Sequence, residues 1–554
     1  MNDRLTSNKG FRDKADLASL LREVQSLRAT VRKVQQQCLA AWKPHLQQRD
    51  FKPSAANLGA YIGLRRQDIR DMQSRLADLG MSSLGRCEGH VLGTLDAVTN
   101  ALRLMLGETV PAGSMTLVAR VMKQESLLLR QHTNRLLGLP HTHRSTRFMV
   151  TFPSECGADY PLVRDLLLRG MDCARINLSH DDIGVWEQMA DNVRRASKET
   201  GRRCKILMDL AGPKLRTGSI SPAPPVLHLR PKHDAEGKLL HPAQVILDGS
   251  GAPGRPSRRD ELGNTLPPRL AIDAAWVAAL KPGDEVHFRD LRGSRRTLVI
   301  QAPAGSAEVL ALCDKGTYAA PGTVLEYQPR TKGRRARRSK SGAYTAAPAD
   351  IRLHRGDGLL LTAAPTPGEP AQLDTAGRVV APAHVSCAVP EVFAHLRAGQ
   401  RVWIDDGRIG ALIESVGAQG ALLHITHARP QGEKLLPEKG LNFPDSVLDL
   451  PALTPKDLAD LDFAVTQADI IGYSFVNDAE DMDQLVDALA ERGGQGLGII
   501  AKIETRQAFA NLPDIVIHGA GRHSFGVMIA RGDLAVETGY EHLAEKQEEI
   551  LWLC

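Results

Sequence analysis

The segment Gly498-Ile499-Ile500-Ala501-Lys502-Ile503-Glu504 is an apolar run that turns charged at its C-terminal end, and Val527-Met528-Ile529-Ala530-Arg531-Gly532-Asp533 repeats the pattern further on. Such runs read as buried parallel strands that deliver polar side chains to a site. Lys502 and Glu504 are two residues apart, so in a strand they project to one face. A lysine beside a carboxylate, with Asp533 ending the next strand, suits a divalent ion held by carboxylates and a phosphoryl group neutralised by an ammonium. Surface strand ends or a structural ion pair would use the same residues, and spacing alone leaves those readings open.

Other segments have the same design. Cys173-Ala174-Arg175-Ile176-Asn177-Leu178-Ser179-His180 alternates Arg175, Asn177 and Ser179 with apolar neighbours, placing the three on one face of a strand and its exit. Lys205 to Leu210 reads as a strand running into Ala211-Gly212-Pro213-Lys214-Leu215-Arg216, and Ala468 to Val476 as another. With a strand near Met149, the count is six. The helix after Met149 is expected to end at Gly170, and another is expected to start with Thr454 as N-cap and Pro455 in the first turn. Gly493-Gly494-Gln495-Gly496 precedes a strand and does not open a helix, so it reads as a turn, not a phosphate loop.

Bulk properties set limits. A chain of 554 residues exceeds one core and should hold about three domains. No apolar stretch approaches the ~20 residues of a membrane span, and Met1 to Ser7 has no apolar core of a secretory signal. The eight cysteines lack CxxC or Cys/His spacing, which predicts reduced thiols in a cytoplasm and no zinc site. The net charge of +6 is local: Arg330 to Lys340 carries seven basic residues and no acid. It reads as a solvated loop in preference to a polyanion contact, since aromatic residues for base stacking are almost absent nearby; nucleic acid is not an expected partner. Residues 12 to 138 read as helical, with stripes Leu17, Leu20, Leu21, Val24, Leu27 and Val91, Leu95, Val98, Leu102, Met105. His45 and His90 have no acidic or cysteine partner at ligand spacing, so packing or self-association is the expectation there.

The charged strand ends resemble motifs of the pyruvate kinase family, over Arg147 to Gly218 and Gly440 to Cys554. The resemblance implies an α/β protein: a (β/α)8 TIM-type barrel, incomplete over these residues, with an inserted all-β lid and an N-terminal α-helical extension. The expected boundaries are 1–145 for the extension, 146–218 and 442–554 for the barrel, and 219–441 for the lid. It implies transfer of a phosphoryl group from phosphoenolpyruvate to ADP, giving pyruvate and ATP in a cytoplasmic, self-associating enzyme. By the same resemblance Lys502 and Arg175 are catalytic and, with Gly532 and Asp533, bind substrate. Glu504 and Asp533 hold Mg²⁺ or Mn²⁺. Asn177, His180, Arg216 and Lys439 meet nucleotide, though Lys439 also reads as a surface or hinge lysine. Asn177, Ser179, Asp209 and the Leu210 carbonyl stand at a monovalent-cation site, but Lys214 occupies the place of a glutamate in potassium-dependent members, so K⁺ is not expected to be required.

Two departures accompany the match. The lid is about twice the expected length and contains an apparent duplication: Asp234–Val245 is echoed by Asp374–Val385, and Leu280–Asp290 by Leu396–Asp406. Only the second copy carries Asp405-Asp406-Gly407. Six strands are two short of a closed barrel, which predicts either a fragment or another element covering the gap. A non-catalytic homologue that binds metabolites or a partner is the alternative.

Overall fold

Alternation along each strand decides the barrel. The computed structural model describes residues 14–110, 114–140, 144–259, 265–305, 307–328, 337–346, 348–448 and 450–554. Met1 to Ser7, residues 330–336 of the basic run and Asp449 lie outside the described residues. In the strand Gly498–Ile503, Ile499, Ala501 and Ile503 enter the core under the helices, while Ile500 enters an inner cluster and Lys502 follows it on that face.

The six expected strands are all present: β1 (Met149–Thr151), β2 (Cys173–Asn177), β3 (Lys205–Asp209), β4 (Ile470–Tyr473), β5 (Gly498–Ile503) and β6 (Phe525–Ile529). They neighbour one another in chain order and every pair is parallel. Parallel neighbours need long crossovers, and each contains a helix. These are α6 (Tyr160–Leu168), α7 (Ile183–Thr200), α8 (Pro455–Gln467), α9 (Ala479–Glu491) and α10 (Leu512–Ala520), with α11 (Arg531–Thr538) and α12 (Leu543–Leu553) after β6. This is the strand-helix repeat of a TIM-type barrel, six strands long. The expected punctuation holds. Gly170 has φ +101° just beyond α6, and Thr454 forms a capping box with Asp457 ahead of α8.

The N-terminal helices are α1 (Lys14–Trp42), α2 (Lys52–Arg65), α3 (Arg70–Asp78), α4 (Val91–Met105) and α5 (Ser114–Leu137). The stripes of α1 and α4 form a core of their own. Met105 departs from its expected stripe and is exposed, lying on the last turn of α4. The extension forms one compact unit with both barrel segments, 1–214 and 442–554. Trp42, Leu46, Phe51, Ala55 and Leu58 join the core of the barrel helices. Leu136 joins Cys173, Leu207, Ile470 and Ile500 in the inner cluster. Gly498 and Gly526, at the starts of β5 and β6, make room for it: a Cβ there would lie 2.5 and 2.7 Å from Leu136 methyls.

The second compact unit, 215–441, is β-rich and contains one strand arrangement twice. In its first half, Ala243–Asp248 pairs parallel with Arg269–Ala271 and antiparallel with Glu308–Cys313, which continues through Arg295–Gly305 to Glu285–Arg289. In the second half, Gly358–Thr362 pairs parallel with Ala383–Ser386 and antiparallel with Gly420–His427, continuing through Ile409–Gly417 to Arg401–Ile404. The topology is the same. The Leu280–Asp290 and Leu396–Asp406 echo falls on equivalent strands, whereas the Asp234 and Asp374 echo is displaced by one strand. That echo records turn chemistry: each aspartate Oδ1 accepts two backbone N–H groups of a hairpin closed by Gly237 or Gly377 at positive φ. Of the basic run, Arg337–Lys340 forms an edge strand on the first sheet.

Candidate active site

On the inner face the strands change character at their C-terminal ends. Below lie Cys173, Leu207, Ile470 and Ile500. One step along each strand on the same face stand Arg175, Asp209, Gly472 and Lys502.

These groups meet. Arg175 donates from Nε to Asp209 Oδ2 at 3.0 Å, makes a second contact to it through its guanidinium, and donates to Thr151 Oγ1 at 3.1 Å. Lys502 Nζ is 3.5 Å from the same Asp209 Oδ2 and 3.0 Å from Glu504 Oε1, and it donates to Ser474 Oγ at 2.7 Å. Asp209 and Glu504 are almost wholly buried, at 1% and 2% exposure. Gly472 lies beside Asp209 in the register, and a Cβ there would collide with its carboxylate. Asp209 Oδ1 has no hydrogen-bond partner among the described residues. A buried, unpaired carboxylate oxygen is costly and marks a place for a further ligand.

The electrostatics follow from burial. Desolvation works against the Lys502 ammonium, but Glu504 and Asp209 outweigh it and hold the lysine above its ordinary range. Glu504 is pushed up by burial and by Asp533, against the pull of Lys502. Buried Glu504 and half-buried Asp533, close enough for Asp533 to raise Glu504, form a carboxylate pair whose repulsion a hard divalent cation would relieve, so the two fit a Mg²⁺-type ion. Glu537, one turn beyond Asp533 on α11, is pushed up to about 7, first by burial; Arg506 and Asn442 pull it down, and Asp533 and Asp445 add to the rise. A carboxylate raised from 4.5 costs nothing below the unfolded value, and its penalty grows until the pH passes about 7. Without divalent metal, Glu537→Gln is therefore expected to raise Tm at pH 8 and leave it unchanged at pH 4, as read by calorimetry.

The other expected positions lie as follows. Asn177 Oδ1 accepts the Ser179 N–H at 3.1 Å, and the Leu210 carbonyl accepts the Ser474 hydroxyl at 2.8 Å. His180 and Lys214 are exposed, as is Gly532 in the first turn of α11. In the β-rich unit, Arg216 donates to the Glu438 carbonyl at 3.4 Å, and Lys439 Nζ pairs with Asp405 at 2.8 Å. Asp405 and Asp406 both hold positive φ, +56° and +54°.

Sequence reasoning missed two contributors. Ser474 directly follows β4, two residues on from Gly472, so the rule of alternation could have found it. Phe475 gives no signal: its φ of +56° turns its backbone N–H onto Glu504 Oε2 at 2.7 Å.

Comparison with known proteins places the two barrel segments in one family. The family model described as the barrel domain of pyruvate kinase matches residues 144–234 and 331–554, more than half of the chain. The unmatched 235–330 covers most of the first lid copy. Among curated proteins, pyruvate kinase PKLR of Rattus norvegicus is 36% identical over 157 residues, 28% of this chain and 26% of the relative. The human PKLR is 29% identical over 255 residues, 45% and 41% of the two chains. A pyruvate kinase of Agrobacterium vitis is 36% identical over 165 residues, 30% and 32%. The chain spans between a quarter and about two fifths of the length of these relatives. With the order of its parallel strands, the charges at their ends and the family match over both barrel segments, the chain belongs to the pyruvate kinase family.

Proposed function

We propose that this chain carries the machinery for moving the phosphoryl group of phosphoenolpyruvate to ADP, yielding pyruvate and ATP in cytoplasmic glycolysis. The observation that carries the reading is the convergence of Arg175, Lys502, Glu504 and Asp209 on the inner face, with Asp533 near enough to raise Glu504. Glu504 and Asp533 would hold Mg²⁺ or Mn²⁺, which supplies charge neutralisation at substrate and phosphoryl oxygens. Lys502 and Arg175 stabilise negative charge on the phosphoryl as its bond to the enol oxygen breaks and one to the ADP β-phosphate forms. A proton then reaches the methylene carbon of the enolate. A Cβ at Gly532 would meet nothing within 4 Å, so this chain's packing does not demand the glycine. Its backbone and that of Arg531, at the start of α11, can approach an anionic substrate. By the family resemblance Asn177, His180, Arg216 and Lys439 meet the nucleotide, and Ser179, Asp209 and Leu210 complete a cation site for which Lys214 removes the need of potassium. The same reading makes the protein a self-associating enzyme. Among the described residues no helix is long and apolar enough to cross a membrane.

Pyruvate release from phosphoenolpyruvate and ADP with Mg²⁺ tests the reading. Turnover is expected at the same rate with and without added potassium. A many-fold rise with potassium would overturn the role of Lys214. No turnover, with phosphoenolpyruvate still bound, would favour a non-catalytic binding protein, a reading supported by the enlarged β-rich unit and the altered Asp209-Leu210-Ala211.

A further inference from the structure

We propose that His45, Asp483 and His518 form a site for one divalent transition-metal ion of the zinc type, which clamps the N-terminal helical segment to the barrel. The three residues come from three elements: the turn Lys43–His45 after α1, then α9 and α10. This corrects the sequence expectation that His45 has no ligand partner, because the partners are more than four hundred residues away.

The turn that carries His45 is held independently of the histidines. Gln47 and Gln48 donate backbone N–H groups to the Gly521 carbonyl at 3.0 and 2.8 Å, and Trp42 Nε1 donates to Asp514 at 3.3 Å. A Cβ on Gly521 would collide with the His45 carbonyl, so glycine is required for the approach. The imidazoles of His45 and His518 stack with centroids 3.7 Å apart. Both Nδ1 atoms face one oxygen, Asp483 Oδ1, at 4.0 Å for His45 and 2.9 Å for His518. One ligand atom from each residue lies within 4.8 Å of the others. Around a tetrahedral zinc with bonds of about 2.1 Å, ligand atoms sit roughly 3.4 Å apart, so the three atoms are near ligand spacing, and binding requires the stacked rings to rotate out of parallel until both Nδ1 lone pairs aim at the ion.

The surroundings select the ion. The side chains are 27%, 34% and 14% exposed, which leaves room for an ion and a water to complete four-coordination. The Arg522 guanidinium pairs with Asp483 and donates to the His518 carbonyl at 3.0 Å, so it orients the carboxylate while opposing a second positive charge. Two imidazoles beside an arginine favour nitrogen-seeking ions over Mg²⁺, which separates this site from Glu504 and Asp533.

The test uses the full chain stripped by a chelator and titrated with Zn²⁺ against a chromophoric competitor, beside His518→Gln and His45→Phe; the second keeps an aromatic ring on the stack. One ion per chain is expected, with a rise in Tm, no competition from excess Mg²⁺, and affinity at least ~10-fold weaker in both variants. Absence of zinc binding, binding that persists unchanged in both variants, as it would on thiols, or displacement by Mg²⁺ would overturn the site.

Discussion

Under the proposed reaction, replacing Lys502 with methionine is expected to lower the rate of pyruvate formation about 10³-fold, because it would delete the fixed charge which that reaction assigns to the transferring phosphoryl group. The effect should fall on kcat more than on KM. Lys502 is held between Asp209, Glu504 and Ser474 and is not free to follow substrate, so its charge is preorganised where charge develops. The fold should persist: Glu504 is already pushed up by burial, so a proton can replace the lost ammonium. The check is steady-state kinetics beside a melting curve, and an unaltered rate in the folded variant would remove Lys502 from the mechanism.

Asp209→Ala is expected to cost about 3 kcal/mol of unfolding free energy, the scale for deleting one partner of a buried ion pair. Asp209 is 1% exposed and is the shared counter-charge of Arg175 and Lys502. Its loss leaves two cations facing each other without it. Coupling follows: Arg175→Leu combined with Asp209→Ala should cost clearly less than the sum of the single changes, since the second removes a charge that the first has stranded. Denaturant unfolding of the two single variants and the double variant measures this. Additive losses would mean that Asp209 does not hold the two cations.

The fold and the site were unequally legible. Lys502 and Glu504 could be assigned to one face of their strand, and Arg175, Asn177 and Ser179 to one face of theirs, because strand periodicity is two; Lys502 and Glu504 do meet, at 3.0 Å, whereas the place of Asp209 between Arg175 and Lys502 had no such signal. The helix start at Thr454 and the stop at Gly170 were likewise local, set by capping and positive φ. Of the two sequence echoes in the β-rich unit, one falls on equivalent strands and the other is displaced by a strand, because an Asp-x-x-Gly hairpin is written the same way wherever it is inserted. The Phe475 contact was invisible, since it depends on a backbone angle that no side-chain pattern announces.

By itself the sequence determined the order of the barrel strands and their charged ends, which rest on spacings of a few residues, and those segments carried the resemblance to the pyruvate kinase family. Only the tertiary structure decided that Leu136 fills the inner face of the barrel, that Asp209 serves both Arg175 and Lys502, and that His45 meets Asp483 and His518. Those contacts join residues tens to hundreds of positions apart. Packing selects them after local periodicity has been satisfied, and nothing in the neighbouring residues encodes them.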